Sequence, residues 1–93
     1  MTAPSRLVLI EWRDARGGII AGWRPVSDMR KKSEPSPAVS VGWVVREDEE
    51  SIVVCPHLVG DAREEGDGEL VIPVAWLTRV VDLVEAKPSR RKS

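Results

Sequence analysis

The chain holds one cysteine and one histidine, and they sit together as Cys55-Pro56-His57. A thiolate beside an imidazole is the start of a cysteine nucleophile, but a further group must orient the imidazole, and no neighbour in the sequence does so. Two such ligands are also too few for a zinc site. A strand cysteine next to an exposed histidine is the simpler reading, so no catalytic residue, metal ligand or cofactor is assigned. Carboxylates cluster at Glu47-Asp48-Glu49-Glu50 and again, five of them, across residues 59–69. Hard cations are held by alternating ligand positions in calcium loops. These runs lack that spacing and read as solvated loops. No phosphate-cradling glycine loop and no nucleophile elbow is present.

The tryptophans are more informative. Each of the four is followed closely by an arginine: Trp12-Arg13, Trp23-Arg24, Trp43 with Arg46, and Trp76 with Arg79. An indole offers a flat face on which a base stacks, and a guanidinium offers a planar fork for phosphate. A nucleotide site needs both. Strand neighbours point to opposite faces, so Trp12 goes with Val8 and Ile10 to the core while Arg13 turns outward. Trp43, in a strongly β-patterned segment, is read as core for the same reason. Trp23-Arg24, between Gly22 and Pro25, lies outside any clear strand and is free to face a ligand. Arg30, Lys31 and Lys32 follow in the same loop and could supply phosphate contacts, as could Arg46. The candidate ligand-binding residues are therefore Trp23, Arg24, Arg30, Lys31, Lys32 and Arg46.

The elements that would carry these residues are short. Residues 6–13 alternate as a first strand, Gly17-Gly18 breaks the chain, and residues 19–23 add a short strand candidate. Residues 27–37 read as a loop, or as one helical turn capped by Ser27 or Asp28 and ended before Pro35. Residues 38–59 form a hairpin about the loop 47–50. Its predicted register sets Arg46 opposite Ser51, Val45 opposite Ile52 and Trp43 opposite Val54, which gathers Val41, Trp43, Val45, Ile52 and Val54 on one apolar face. Residues 59–69 read as an exposed loop, and Leu70–Pro73 as a strand. After Pro73 a short 3₁₀ turn leads into a strand over 77–84; a helix with the stripe Val74, Leu77, Val81, Val84 is the competing reading. Residues 1–86 make one domain, and 87–93 a disordered basic tail. Five to six bent strands with one short helical turn predict an all-β or mainly β fold, a small SH3-like or Sm-like barrel. An α+β sandwich is the alternative.

Composition bounds the function. The chain has 93 residues, 42% of them hydrophobic, with no Phe or Tyr and a net charge of −1. That balance excludes a protein whose whole surface coats nucleic acid. A single cysteine excludes an internal disulfide and fits a reducing compartment. No apolar run approaches a bilayer span, and no signal-peptide pattern opens the chain. The expected setting is cytoplasmic, without membrane association. A domain this small buries a modest share of its surface, so self-association as a homo-oligomer is expected.

The segments "VLIEWRDARGG", "VSVGWVVREDEESIVVCPHL" and "LVIPVAWLTRVVDL" together resemble short proteins common in tailed bacteriophages. The matching positions are Trp12, Asp14, Ala15, Gly17, Gly18, Gly42, Trp43, Ile72 and Pro73, within residues 7–84. The spacing departs from the phage pattern where Ile-Ile-Ala-Gly stands between Gly18 and Trp23. The resemblance implies phage origin and a small accessory protein in the host cell; it carries over no activity. A looser fold analogy runs to Sm-like proteins, although their RNA-binding motifs are not clearly present. The resulting expectation is a non-catalytic binding protein that inhibits host antiviral defence by sequestering a nucleotide-type signal molecule. An Sm-like oligomer binding RNA or DNA, and a protein–protein inhibitor or virion accessory protein, are the alternatives.

Overall fold

The alternation of Leu7–Asp14 produces the first strand, β1, with Val8, Ile10 and Trp12 all buried and Arg13 exposed. The computed structural model describes residues 3–15, 22–31 and 34–87. A single helical turn, α1 (Val26–Met29), follows, then the long strand β2 (Ser36–Glu47) and β3 (Ser51–Cys55). Three short strands come next, β4 (His57–Val59), β5 (Glu65–Asp67) and β6 (Leu70–Pro73). A 3₁₀ turn, Val74–Trp76, leads into β7 (Leu77–Leu83). The turn and strand after Pro73 match the preferred sequence reading. Two local expectations fail. Residues 59–69 are not all loop, because β4 and β5 pair as a small hairpin. Helix α1 begins after Pro25 with no side-chain cap, so neither Ser27 nor Asp28 caps it. Proline needs no N–H donor partner and its φ suits a helix start.

The main sheet is antiparallel, in the order β6-β3-β2-β1-β7. The fold is thus mainly β, with a five-stranded antiparallel sheet, a two-stranded sheet and a single 3₁₀ turn, as the expected fold class has it. The expected barrel, however, is not closed: β6 and β7 remain the two edges of an open sheet. They are joined covalently by the 3₁₀ turn, so the sheet curls toward itself without a closing ladder. Two irregularities bend it. The β2–β3 register shifts between Val44 and Arg46, and the β1–β7 register shifts at Glu11/Trp12. Extra residues of this kind bend a strand and increase its twist. At the second shift Thr78 donates its hydroxyl hydrogen to the Glu11 carbonyl at 2.9 Å.

The concave face holds one core: Val8, Ile10, Trp12, Ile52, Val54 and Ile72, with Ala38, Val44, Leu77 and Val80 packed against it. All come from the same sheet and its edges, which is possible only because the sheet curls. The register across β1 and β2 explains the packing. Val8 opposes Gly42, Ile10 opposes Ser40 and Trp12 opposes Ala38, so large side chains on β1 meet small ones on β2. Close packing requires such alternation of sizes. A side chain at Gly42 would bring Cβ within 3.1 Å of Val54 Cβ and 3.2 Å of the β3 backbone at Cys55. Ser40 does more than leave room, since its hydroxyl accepts the Trp12 Nε1–H at 3.0 Å. A buried indole N–H needs such a partner.

The predicted hairpin register is off by one residue before the bulge and by two beyond it. Trp43 pairs with Cys55 and Val44 with Val54, and past the bulge Arg46 pairs with Val53 and Glu47 with Ile52. A one-residue slip exchanges faces. Val44, Ile52 and Val54 therefore point inward, while Val41 and Trp43 stand on the opposite, convex face, and Val45 is exposed. Trp43 is half-buried and is not a core residue. The turn itself is fixed by Asp48, whose Oδ1 accepts the Glu50 N–H at 2.8 Å and the Ser51 N–H at 2.9 Å.

Candidate functional site

Helix α1 is one turn long, and none of its residues is buried. It follows Gly22, which has φ +106, and Pro25, so the chain between them cannot continue β1 as a strand. The consequence is an aromatic side chain held in water: Trp23 has 106% of its reference exposure. Val26 and Met29 on α1 are exposed as well. Arg24 is partly covered, and Arg30 and Lys31 are exposed. The Lys31 ammonium lies 3.8 Å from Asp28 Oδ1, a loose surface pair. Surface pairs of this sort contribute little and yield readily to a better anion. Trp23, Arg24, Arg30 and Lys31 thus share the segment 22–31, with Arg24 partly covered and the other three exposed; Lys32 and residues 19–21 of the short strand candidate 19–23 lie outside the described residues, and its Gly22 and Trp23 are not in a strand.

Arg46 does not join them. It stands at the far end of β2 from α1, at the β2–β3 turn. Its guanidinium donates to Ser51 Oγ at 3.1 Å and lies 3.6 Å from Asp48 Oδ2. Arg46 is thus a turn brace. Asp48 is held below the ordinary carboxylate range, chiefly by the Ser51 and Glu50 backbone N–H groups and then by the Arg46 charge. A similar brace operates at Arg6, which donates to Asp82 at 2.7 Å and to Glu47 at 3.0 Å, linking the start of β1 to β7 and β2.

Compared with known proteins, the chain matches no family model, no curated protein and no solved structure.

The convex face carries a second region that sequence reasoning missed. The β4–β5 hairpin lies against the end of β3, held where the Cys55 thiol sits 3.2 Å from the His57 carbonyl and 3.4 Å from that of Asp67. One S–H is shared between two carbonyl oxygens of paired residues. The Cys55 thiol therefore serves packing, and the His57 contact it makes is to backbone. Gly66 is required for this approach, because a Cβ there would fall 2.7 Å from Cys55 Sγ. The turn before β5 closes through the Arg63 N–H to the Gly60 carbonyl at 3.0 Å. Arg63 takes φ +54, an unusual conformation for a side-chain-bearing residue. That places its guanidinium 5.0 Å from the centre of the Trp43 ring, a cation–π contact. Between hairpin and sheet lies a cavity of about 470 Å³. A shallower hollow of about 290 Å³ adjoins Trp76, whose ring stacks on Trp12 at 6.4 Å. None of the five described residues among the six read from the sequence lines either space. The signal that could have revealed the cavity is the glycine pattern Gly60, Gly66 and Gly68 around an isolated Leu58-Val59, which marks a tight hairpin.

Among the described residues no three His, Cys, Asp or Glu side chains are grouped to hold a metal ion. No helix there is long and apolar enough to cross a membrane.

Proposed function

We propose that this protein acts by binding and not by catalysis, taking up a nucleotide-type signal molecule in the cytoplasm of a phage-infected cell and so inhibiting antiviral defence. The observation that carries the reading is Trp23, fully exposed on a segment that also presents Arg24, Arg30 and Lys31. A base stacked on an indole gains about 1–3 kcal/mol. Guanidinium and ammonium groups close by then hold phosphate through charge-assisted hydrogen bonds. Phage origin enters through the resemblance of segments 8–18, 39–58 and 70–83 to short phage proteins. Assembly as a homo-oligomer belongs to the same reading, since a domain this small gains stability by association.

The test is direct. Purified protein is heated, and released small molecules are identified by mass spectrometry; cyclic nucleotides and ADP-ribose derivatives are then titrated by calorimetry. Binding that falls at least tenfold in Trp23→Ala and in Arg24→Ala supports the reading. Absence of any released or titrated nucleotide defeats it. Salt-dependent binding of single-stranded RNA or DNA, with no small nucleotide bound, would replace it with the Sm-like alternative.

A further inference from the structure

The cavity under the β4–β5 hairpin has the size of a ligand site. Its volume, about 470 Å³, falls inside the range of about 300–1,000 Å³ common for small-molecule sites. It is roughly three times the apolar cavity of about 150 Å³ that accommodates one benzene. Its floor is the convex face of the sheet, Val45, Val53 and Cys55, and Leu58 of β4 forms part of the roof. The bulge in β2 is what leaves Val45 exposed there. The interior is therefore mainly apolar.

The charges at the mouth are not equivalent. Arg63 is committed to the face of Trp43, 5.0 Å away. Glu64 is committed to the hairpin turn, where its Oε2 accepts the Ala62 N–H at 3.0 Å. Glu69 also lines the cavity, and among the described residues its carboxylate makes no ion pair or hydrogen bond. What faces an incoming molecule is an apolar chamber lined by two carboxylates, Glu64 and Glu69, against one guanidinium, Arg63, an excess of one negative charge, and of the two carboxylates Glu69 is the one without a hydrogen bond. We infer that this cavity binds a small apolar molecule bearing a single cationic group, an amine, whose hydrocarbon or aromatic body lies on Val53 and Leu58 and whose charge faces Glu69. This site is separate from the Trp23 segment and prefers the opposite charge, so the two proposals stand or fall independently.

Three probes share one ring and differ in charge: tryptamine is cationic, 3-methylindole neutral and indole-3-propionate anionic. Each is titrated into the full chain and followed by amide NMR shifts and calorimetry. The expected order of affinity is tryptamine, then 3-methylindole, then indole-3-propionate, with shifts concentrated at Ala62, Arg63 and Gly66. In Glu69→Gln, tryptamine should weaken about threefold to fivefold, the range of one exposed charge pair, while 3-methylindole is unchanged. Trp23→Ala should leave all three unaffected. The proposal is overturned if no probe shifts the hairpin amides, if the three bind equally, or if Trp23→Ala abolishes tryptamine binding. A folded Glu69→Gln protein with unchanged tryptamine affinity also overturns the role of the carboxylate.

Discussion

The two faces of the five-stranded sheet use the same strands and similar residues, yet they end in opposite states. On the concave face Trp12 stacks on Trp76 and donates its N–H to Ser40, and the aliphatic residues around it are sealed from water. On the convex face the Arg63 guanidinium lies over the half-buried Trp43 ring, and Val39 and Val41 remain 64% and 48% exposed. The difference does not lie in hydrophobicity, since the convex side of β2 is the more apolar one. It lies in fit. Large residues on β1 require small ones opposite, and Ala38, Ser40 and Gly42 supply them on the concave side only. A face that packs well becomes a core; a face that does not is left to be partly roofed by a hairpin, and a cavity remains beneath it.

The comparison can be tested by substitution, with urea unfolding as the common measurement. Trp12→Ala should have the largest effect, a loss of about 3–5 kcal/mol, because it removes the stack on Trp76 and empties the core. Trp43→Ala should lose distinctly less; an equal loss would erase the distinction between the faces. Gly42→Ala should cost about 1–3 kcal/mol, since the new methyl meets the β3 backbone, which has little room to move. Arg63→Ala should cost only about 0.5–1 kcal/mol, the value of an exposed cation–π contact. Trp23→Ala should leave stability within about 0.5 kcal/mol of the parent, because the indole touches solvent alone.

A pH series isolates the β2–β3 turn from both faces. Asp48 titrates below the ordinary 3.8 when folded. The anion therefore adds stability above that value, and the contribution is lost as pH falls toward the folded-state pKa. The urea midpoint should drop as pH is lowered through about 4 and below, and Asp48→Asn should show a shallower acid limb. An unchanged limb would mean that the turn contributes nothing to acid sensitivity.

Alternation along β1 was enough to assign Val8, Ile10 and Trp12 to the core and Arg13 to solvent, and Pro73 with the valines that follow it favoured a tight turn before β7 over the competing helix. The break at Gly22 and Pro25 marked Trp23 as exposed. These are local properties: the two-residue period of a strand, the fixed φ of proline and the freedom of glycine act within a few residues. The register of β2 against β3 was not local. Both faces of β2 carry valines, so hydrophobicity alone favoured the wrong one, and a bulge at Val45 leaves no mark in an alternating pattern. Only contact with β1 and β3 could decide it, because packing depends on the volumes that meet across strands. The same holds for the cavity. Cys55 and Gly66 lie eleven positions apart in the chain, and their approach, with the chamber beside it, exists only once the hairpin has folded onto the sheet.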